Sequence, residues 1–555
     1  MIRKNMRILF AGALLCSLSL AGCDALDTKE DLNLTDEMMA TRRYQMFDWG
    51  YRVYEHIPYG FTAIDGNLFA AVSDEAQYVT TFSSTQRFNE GSWSAYYNPD
   101  DCYTSYYNGI YAAHDYLDKS VDYRYILGMH RDTLTSNGLD SYRRDIVDVQ
   151  RLRAEAHVLK AYYYFELAKR YGGVPLIDRV YADQKEANLP RGTFDEVVGL
   201  ILREIEGVRN ELVVDWRAEN LEEKSGRITR GAALALKSRV LLYAASPQFN
   251  PSGEKSKWAA AAAFEVINMG IYSLHPDYGG LFVAETSTTS PETIWAVRMG
   301  ATNEFERKNY PIGTQGGGTG ICPSQNLVEA YESTGEDTGD AYAGLDPRFY
   351  ATVLRNGDTW NGRTLEIYAG GADDPARQNA SPTGYYLRKF LNENLNLTND
   401  DKRLRSWIVF RYAEILLNFA EAMNEAYGPD DAHGYGMSAR DAVDAVRARS
   451  GVGMPPVDVA PGDAAAMRTA IKHERRIELA FEDHRYWDLR RWDDAGTVLN
   501  RPLRGVKVTR SGDGFAYTPF EVAKRIFDAP KMNLYPIPQA EIVKSGGVLD
   551  QNPGW

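Results

Sequence analysis

Flat aromatic rings beside short polar side chains are the groups that hold sugars. The C–H faces of a pyranose stack on the rings, and its hydroxyls exchange hydrogen bonds with Asn, Asp, Gln and Arg, provided the groups converge in a concave site. Two stretches of this sequence supply them. The first joins Ser73-Asp74-Glu75 to Trp93-Ser94-Ala95-Tyr96-Tyr97-Asn98, with Trp93, Asn98, Tyr96 and Asp74 as candidate ligand contacts. The second carries Asn303, Phe305, Tyr310 and, farther on, Trp360. Each has a competing structural use: Trp93 can pack its loop onto the core, and Tyr310 with Trp360 can form a small core of their own.

Other chemistries fit less well. The block HERRIELAFEDHRYWDLRRW at 473–492 is dense in titratable groups, but His473, Glu474 and His484 have neither zincin spacing nor that of a facial triad. Glu474, Glu478 and Glu482 are instead expected along one helical face, paired with Arg475, Arg485 or nearby arginines. Gln315-Gly-Gly-Gly-Thr-Gly320 lacks the Lys-Ser/Thr ending of a phosphate loop and reads as a mobile or tightly turned segment. There is no G-x-S-x-G nucleophile elbow and no C-G-S-C-W-type cysteine context. Glycoside hydrolysis needs two carboxyls at a defined separation, and sequence gives no distances. The expectation is therefore a binding protein with no catalytic residue, no metal ligands and no cofactor; a structural calcium ion is left open.

The elements that must position these groups are mostly helical. Residues 145–171 are apolar on most faces, so that helix must be buried between others, and it stops at Gly172-Gly173-Val174-Pro175. Tyr162, Tyr163 and Tyr164 on it belong to the core. Further helices are expected at 41–58, 100–119, 194–213, 229–245, 256–269, 406–426, 438–449 and 464–492. They form pairs, and the spacing of Ala161, Tyr164, Phe165 and Ala168 resembles tetratricopeptide-like hairpins. Residues 275–405 differ: Gly, Pro, Asn and Asp recur, helix periodicity fades and only short strands are expected. Their interspersed aromatics argue for an ordered, irregular binding subdomain carried by the scaffold.

The N-terminus carries an address. Arg3, Lys4 and Arg7 precede an apolar run from Ile8 to Leu20, which is too short for a comfortable membrane span of about 20 residues. Leu20-Ala21-Gly22-Cys23 resembles a bacterial lipobox, so residues 1–22 are read as a lipoprotein signal peptide and Cys23 as the lipidated residue. Residues 23–41 form a polar tether whose Asp24, Asp27, Glu30 and Asp31 resemble a surface-export signal of Bacteroidetes-type lipoproteins.

Removing residues 1–22 takes away three basic residues and no acidic one, so the formal charge falls from -14 to -17. Without a basic stripe there is no counterion release to drive nucleic-acid binding. Cys102 and Cys322 are the mature chain's other cysteines, enough for one bridge and not for a disulfide framework. With 36 tyrosines and 10 tryptophans, the chain can furnish both an aromatic core and ligand platforms.

Several blocks in order resemble the SusD/RagB family: RLRAEAHVLKAYYYFELAKRYGGVPLI at 151–177, LDPRFYATV at 345–353, GYYLRKFL at 384–391, VFRYAEILLNFAEAMNE at 409–425, AVRARSG at 445–451, the 473–492 block, LYPIPQAEI and the terminal QNPGW. The resemblance implies one globular, mainly α unit: a helical region at 42–274, the loop-rich subdomain at 275–405 and a helical region at 406–555. It implies a lipid-anchored outer-membrane protein that captures oligosaccharide and passes it to a SusC-like TonB-dependent transporter, over which it acts as a lid. In the family's sugar-binding members, ligand residues fall in the loop before the second helix and in the irregular subdomain. Peptide capture by the same loops, or a surface glycoside hydrolase, are the alternatives.

Overall fold

The computed structural model describes Met38 and residues 41–555, apart from 184–185, 220, 250, 284–285, 336–339 and 341. The expected signal peptide, Cys23 and most of the acidic tether lie outside the described residues. At the centre runs the helix Ser136–Tyr171, buried almost continuously from Leu152 onward. It begins nine residues before the expected 145, where the Thr135 hydroxyl accepts from the Gly138 N–H (3.2 Å). It ends as expected at Gly172, whose φ of +75° suits the left-handed turn.

Against it lie Tyr103–Lys119 on one side and Phe194–Val208 on the other. Gly109 lets the first approach closely, since a Cβ there would come within 2.5 Å of the Tyr163 ring. The series continues through Arg230–Ala244, Gly253–Ile267 and Tyr412–Tyr427, each packed on the one before, and closes with Ala439–Arg447 and Ala464–Glu478. The fold is mainly α, a tetratricopeptide-like scaffold of stacked hairpins carrying short strands.

Four segments depart from the sequence expectation. Residues 406–411 are not the start of a helix but part of the strand Arg403–Arg411, antiparallel to Thr293–Thr302. Trp407-Ile408-Val409-Phe410 are β-branched or aromatic, and this local preference prevails up to Arg411. The helix expected over 464–492 breaks after Glu478 and resumes as Arg485–Arg491, because Phe481 and Asp483 take φ of +66° and +63°. Residues Leu503–Ser511 and Gly514–Ala523 form an antiparallel hairpin in a region read as helical. Within 275–405, the ten-residue strand Thr293–Thr302 is also longer than the short strands expected there.

The carboxylates of 474–482 do pair with arginines, but not with the ones nearest in sequence. Glu478 receives Arg348 (2.9 Å), Arg411 (2.7 Å) and Arg449 (2.5 Å). Glu474 pairs with Arg348 and Arg447, while Glu482, beyond the helix end, pairs with Arg411 and Lys389. Arg475 turns instead to Asp488. Burial alone would raise the Glu478 pKa, but Arg449, Arg411 and Arg348 outweigh it and hold the group at about 2. This network ties the irregular segment, the strand pair and the closing helices together.

Candidate functional site

Asp65, with φ of +49°, directs its carboxylate at the start of the short helix Ser84–Asn89. It accepts from the Ser84 N–H (3.1 Å), the Thr85 N–H (2.6 Å) and the Thr85 hydroxyl (2.6 Å). The Ser83 hydroxyl caps the same helix by accepting from Gln86 N–H (3.1 Å). Farther along, Ser94 and Tyr97 close a tight turn through reciprocal backbone hydrogen bonds. The Tyr97 hydroxyl lies 3.3 Å from Ser84 Oγ, and the Arg87 guanidinium is 5.4 Å from the centre of its ring.

Beneath the loop, Trp93 is 4% exposed and stacked on Phe88 at 4.9 Å, with Trp555 against it at 4.6 Å. The Gln539 N–H donates to the Ala95 carbonyl (2.8 Å), so the C-terminal segment also holds the turn. A segment so anchored presents three rings to solvent: Phe82 is 97% exposed, Tyr96 84% and Tyr97 42%. Single exposed apolar residues are ordinary, whereas three aromatics exposed along one pinned loop are a candidate ligand platform.

The second sequence stretch abuts the first. Asn67 Nδ2 donates to Asn309 Oδ1 (3.0 Å), Lys308 Nζ donates to the Gly66 carbonyl (2.6 Å), and Ala76–Tyr78 pairs with Ile321–Pro323. The glycines of 315–320 serve this packing. A Cβ on Gly317 would come 2.6 Å from the Pro311 carbonyl oxygen, and one on Gly318 would come 2.8 Å from that of Arg307. The loop is tightly turned onto the helix Glu304–Asn309.

Most of the candidate residues are engaged inside the protein. Trp360 is 0% exposed and meets Tyr310 edge-on at 5.2 Å, while the Tyr310 hydroxyl donates to the Asn392 carbonyl. Phe305 is buried between Phe61 (4.7 Å) and the Arg405 guanidinium (4.9 Å). Asn303 donates to Asp400 (2.9 Å) and to the Asp401 carbonyl (2.8 Å). Asp74 is clamped by Arg476 and Arg485, and the two arginines outweigh burial to keep its pKa well below the carboxylate range.

Burial removes the faces of Trp93, Phe305, Tyr310 and Trp360 from any ligand arriving through solvent, and ion pairing occupies Asp74. Asn98 is half-buried, its Oδ1 accepting from Asp100 N–H (3.0 Å), and Tyr96 keeps its ring free. Phe82 was not singled out from the sequence. Its signal was a bulky apolar residue among Thr80, Thr81, Ser83 and Ser84, where no period would bury it.

Cys102 and Cys322 are both free thiols. Burial raises both, that of Cys322 to about 12, so neither is a ready nucleophile. Among the described residues no group of three or more His, Cys, Asp or Glu could hold a metal ion, and no helix is long and apolar enough to cross a membrane.

Two family models match the chain. One, described as the SusD family, matches residues 291–555; the other, described as starch-binding associating with outer membrane, matches residues 25–242. The chain is 25% identical over 443 residues to SusD-like protein P2 of Formosa agariphila, covering 78% of this chain and 79% of that protein. It is similar in structure to a SusD-like protein of Bacteroides fragilis, at 26% identity and a TM-score of 0.76 over 94% of this chain and 99% of the other. A SusD-like carbohydrate-binding protein of the same organism shares the fold at 23% identity and a TM-score of 0.74, over 92% and 99% of the two chains.

Proposed function

This chain belongs to the SusD family, and we propose that it is a cell-surface lipoprotein of the outer membrane that captures an oligosaccharide and delivers it to a SusC-like TonB-dependent transporter. The observation that carries the reading is the platform of Phe82, Tyr96 and Tyr97, held out to solvent by a buried Trp93 and a pinning Asp65. The backbone beneath these rings is already fastened, so a sugar that stacks on them does not have to order the loop as it binds. Arg87 and Ser84 stand beside Tyr97 to meet hydroxyls, whereas the Asn98 amide is turned inward, its Oδ1 on the Asp100 N–H and its Nδ2 buried. Stacking and hydrogen bonding of this kind retain a ligand without cleaving it, which suits capture rather than hydrolysis.

The family model described as starch-binding associating with outer membrane supports the sugar as cargo and the membrane as location. For the anchor, acyl chains on Cys23 would each contribute roughly 0.8 kcal/mol per buried methylene, and two or more chains make attachment stable. The Cys23→Ala protein is expected in the soluble fraction of cells, and its persistence in membranes would refute lipid anchoring there.

The direct experiment is calorimetric titration of the chain beginning after Cys23 with neutral and acidic oligosaccharides and with a peptide pool, assaying reducing ends in parallel. Saturable binding of one glycan class without new reducing ends is the expected result. Binding of peptides alone would replace sugar by peptide as cargo, and released reducing sugar would make the protein a hydrolase.

A further inference from the structure

A cleft of about 460 Å³ opens where the closing helices meet the short helix Gln325–Val328 and the foot of the hairpin Leu503–Ser511. Four guanidinium groups line it, those of Arg476, Arg485, Arg501 and Arg504, in a chain whose net charge is -14. The carboxylates that reach them are too few. Arg476 and Arg485 share the single carboxylate of Asp74, each at 2.8 Å, and Arg504 pairs with Glu329. Among the described residues Arg501 has no ion pair and no side-chain hydrogen bond. The Nε of Arg476 is buried with no acceptor.

The excess continues behind the cleft. Arg525, 6% exposed, donates through Nη2 to the Ala71 and Ala76 carbonyls, while its Nε and Nη1 have no acceptor. Burial pushes its pKa down to about 10, against the pull of Asp74, so it stays charged at neutral pH. Burial, helped by Asp74, raises the neighbouring Glu75 to about 8, so this acid keeps its proton and supplies no balancing charge. Glu521 is the remaining acid of the lining, and it is exposed to solvent.

We infer that this cleft is an oxyanion site, in which Arg476, Arg485 and Arg501 receive the sulfate ester or carboxylate of an acidic sugar. The inference rests on the glycan-capture reading and narrows its cargo. Planar guanidinium forks match both oxyanions in bidentate geometry, and the exposed, unpaired Arg501 offers its fork to an anion that enters the cleft. The site is separate from the aromatic platform. Asp74 and Ser324 stand at one end of the strand pair Ala76–Tyr78 and Ile321–Pro323, and the platform loop leaves from the other, on the order of 15 Å away for five extended residues.

The test is titration of the wild-type chain, Arg501→Glu and Arg501→Gln with a chondroitin sulfate tetrasaccharide, tetragalacturonate and neutral tetrasaccharides. Arg143→Glu, an exposed reversal elsewhere, controls for net charge. Binding of a sulfated or a uronic ligand, weakened about tenfold or more in Arg501→Glu, less in Arg501→Gln and hardly in Arg143→Glu, is expected, and the ligand that binds identifies the oxyanion. Neutral sugars bound while both acidic ones are ignored, or acidic ones bound equally by Arg501→Glu, would overturn the site and leave glycan capture standing. Silence of the wild type toward every sugar would overturn both.

Discussion

The ion network around Glu478 and the aromatic platform around Tyr96 invert the usual burial rule in opposite directions, with charges inside and rings outside. Inside, every carboxylate of the network has an arginine or lysine, and the partners come from segments as far as 130 residues apart, as Arg348 and Glu478 do. Outside, Phe82 and Tyr96 have almost nothing over them, although the loop beneath is fastened by hydrogen bonds. The satisfied charges are scaffold, and in the proposed capture role the exposed rings on their fastened loop are the surface that takes the ligand.

The largest effect is expected from breaking the inner region. Glu478→Ala leaves Arg348, Arg411 and Arg449 short of a shared partner in a buried site, at a cost of about 3–5 kcal/mol in urea unfolding. A change below about 1 kcal/mol would show that the network is dispensable. Trp360→Ala is expected to cost a similar ~3–5 kcal/mol through the cavity it leaves, with ligand affinity preserved.

Acid and base should separate two buried carboxylates by a few kcal/mol each at most. Glu478, held near 2 against an ordinary 4.5, contributes stability that is full above pH 4.5 and lost as pH falls from there through 2. Glu75, raised to about 8 from 4.5, acts in the other sense: the folded state keeps a proton that the unfolded chain releases, so stability declines as pH rises from 4.5 to 8. Urea midpoints across this range should therefore fall on both sides, and Glu75→Gln should flatten the upper limb alone. An unchanged upper limb would remove Glu75 from the account. The smallest stability effect, within about 0.5 kcal/mol, is expected from Phe82→Ala and Tyr96→Ala, which alter exposed groups.

Much of the scaffold was legible because long helices announce themselves by period and caps. The buried helix ending at Gly172 shows this: its tyrosines lie in the core, and its glycine takes the turn that sequence assigned to it. The break at Phe481 and Asp483 was not legible, since nothing local forbids helix there. At that point the Phe481 N–H donates to the buried Glu75, some four hundred residues earlier in the chain. The candidate site divides along the same line. Residue type found aromatic and polar groups in the correct neighbourhoods, and the contacts between 59–98 and 304–323 show those neighbourhoods adjoining. Which ring faces solvent depends on packing across the chain. Trp93 is covered by Trp555, and Trp360 by Tyr310, whereas Tyr96 has no such neighbour.

The most direct measurement compares the dissociation constant of whichever glycan binds the wild type with those of Phe82→Ala, Tyr96→Ala and Trp360→Ala, each shown folded by circular dichroism. Loss of about 1–2 kcal/mol of affinity in the two platform variants, with Trp360→Ala close to wild type, is the predicted result. Full affinity in Phe82→Ala and Tyr96→Ala together with loss in Trp360→Ala would contradict it and return the site to the buried aromatics of the irregular segment.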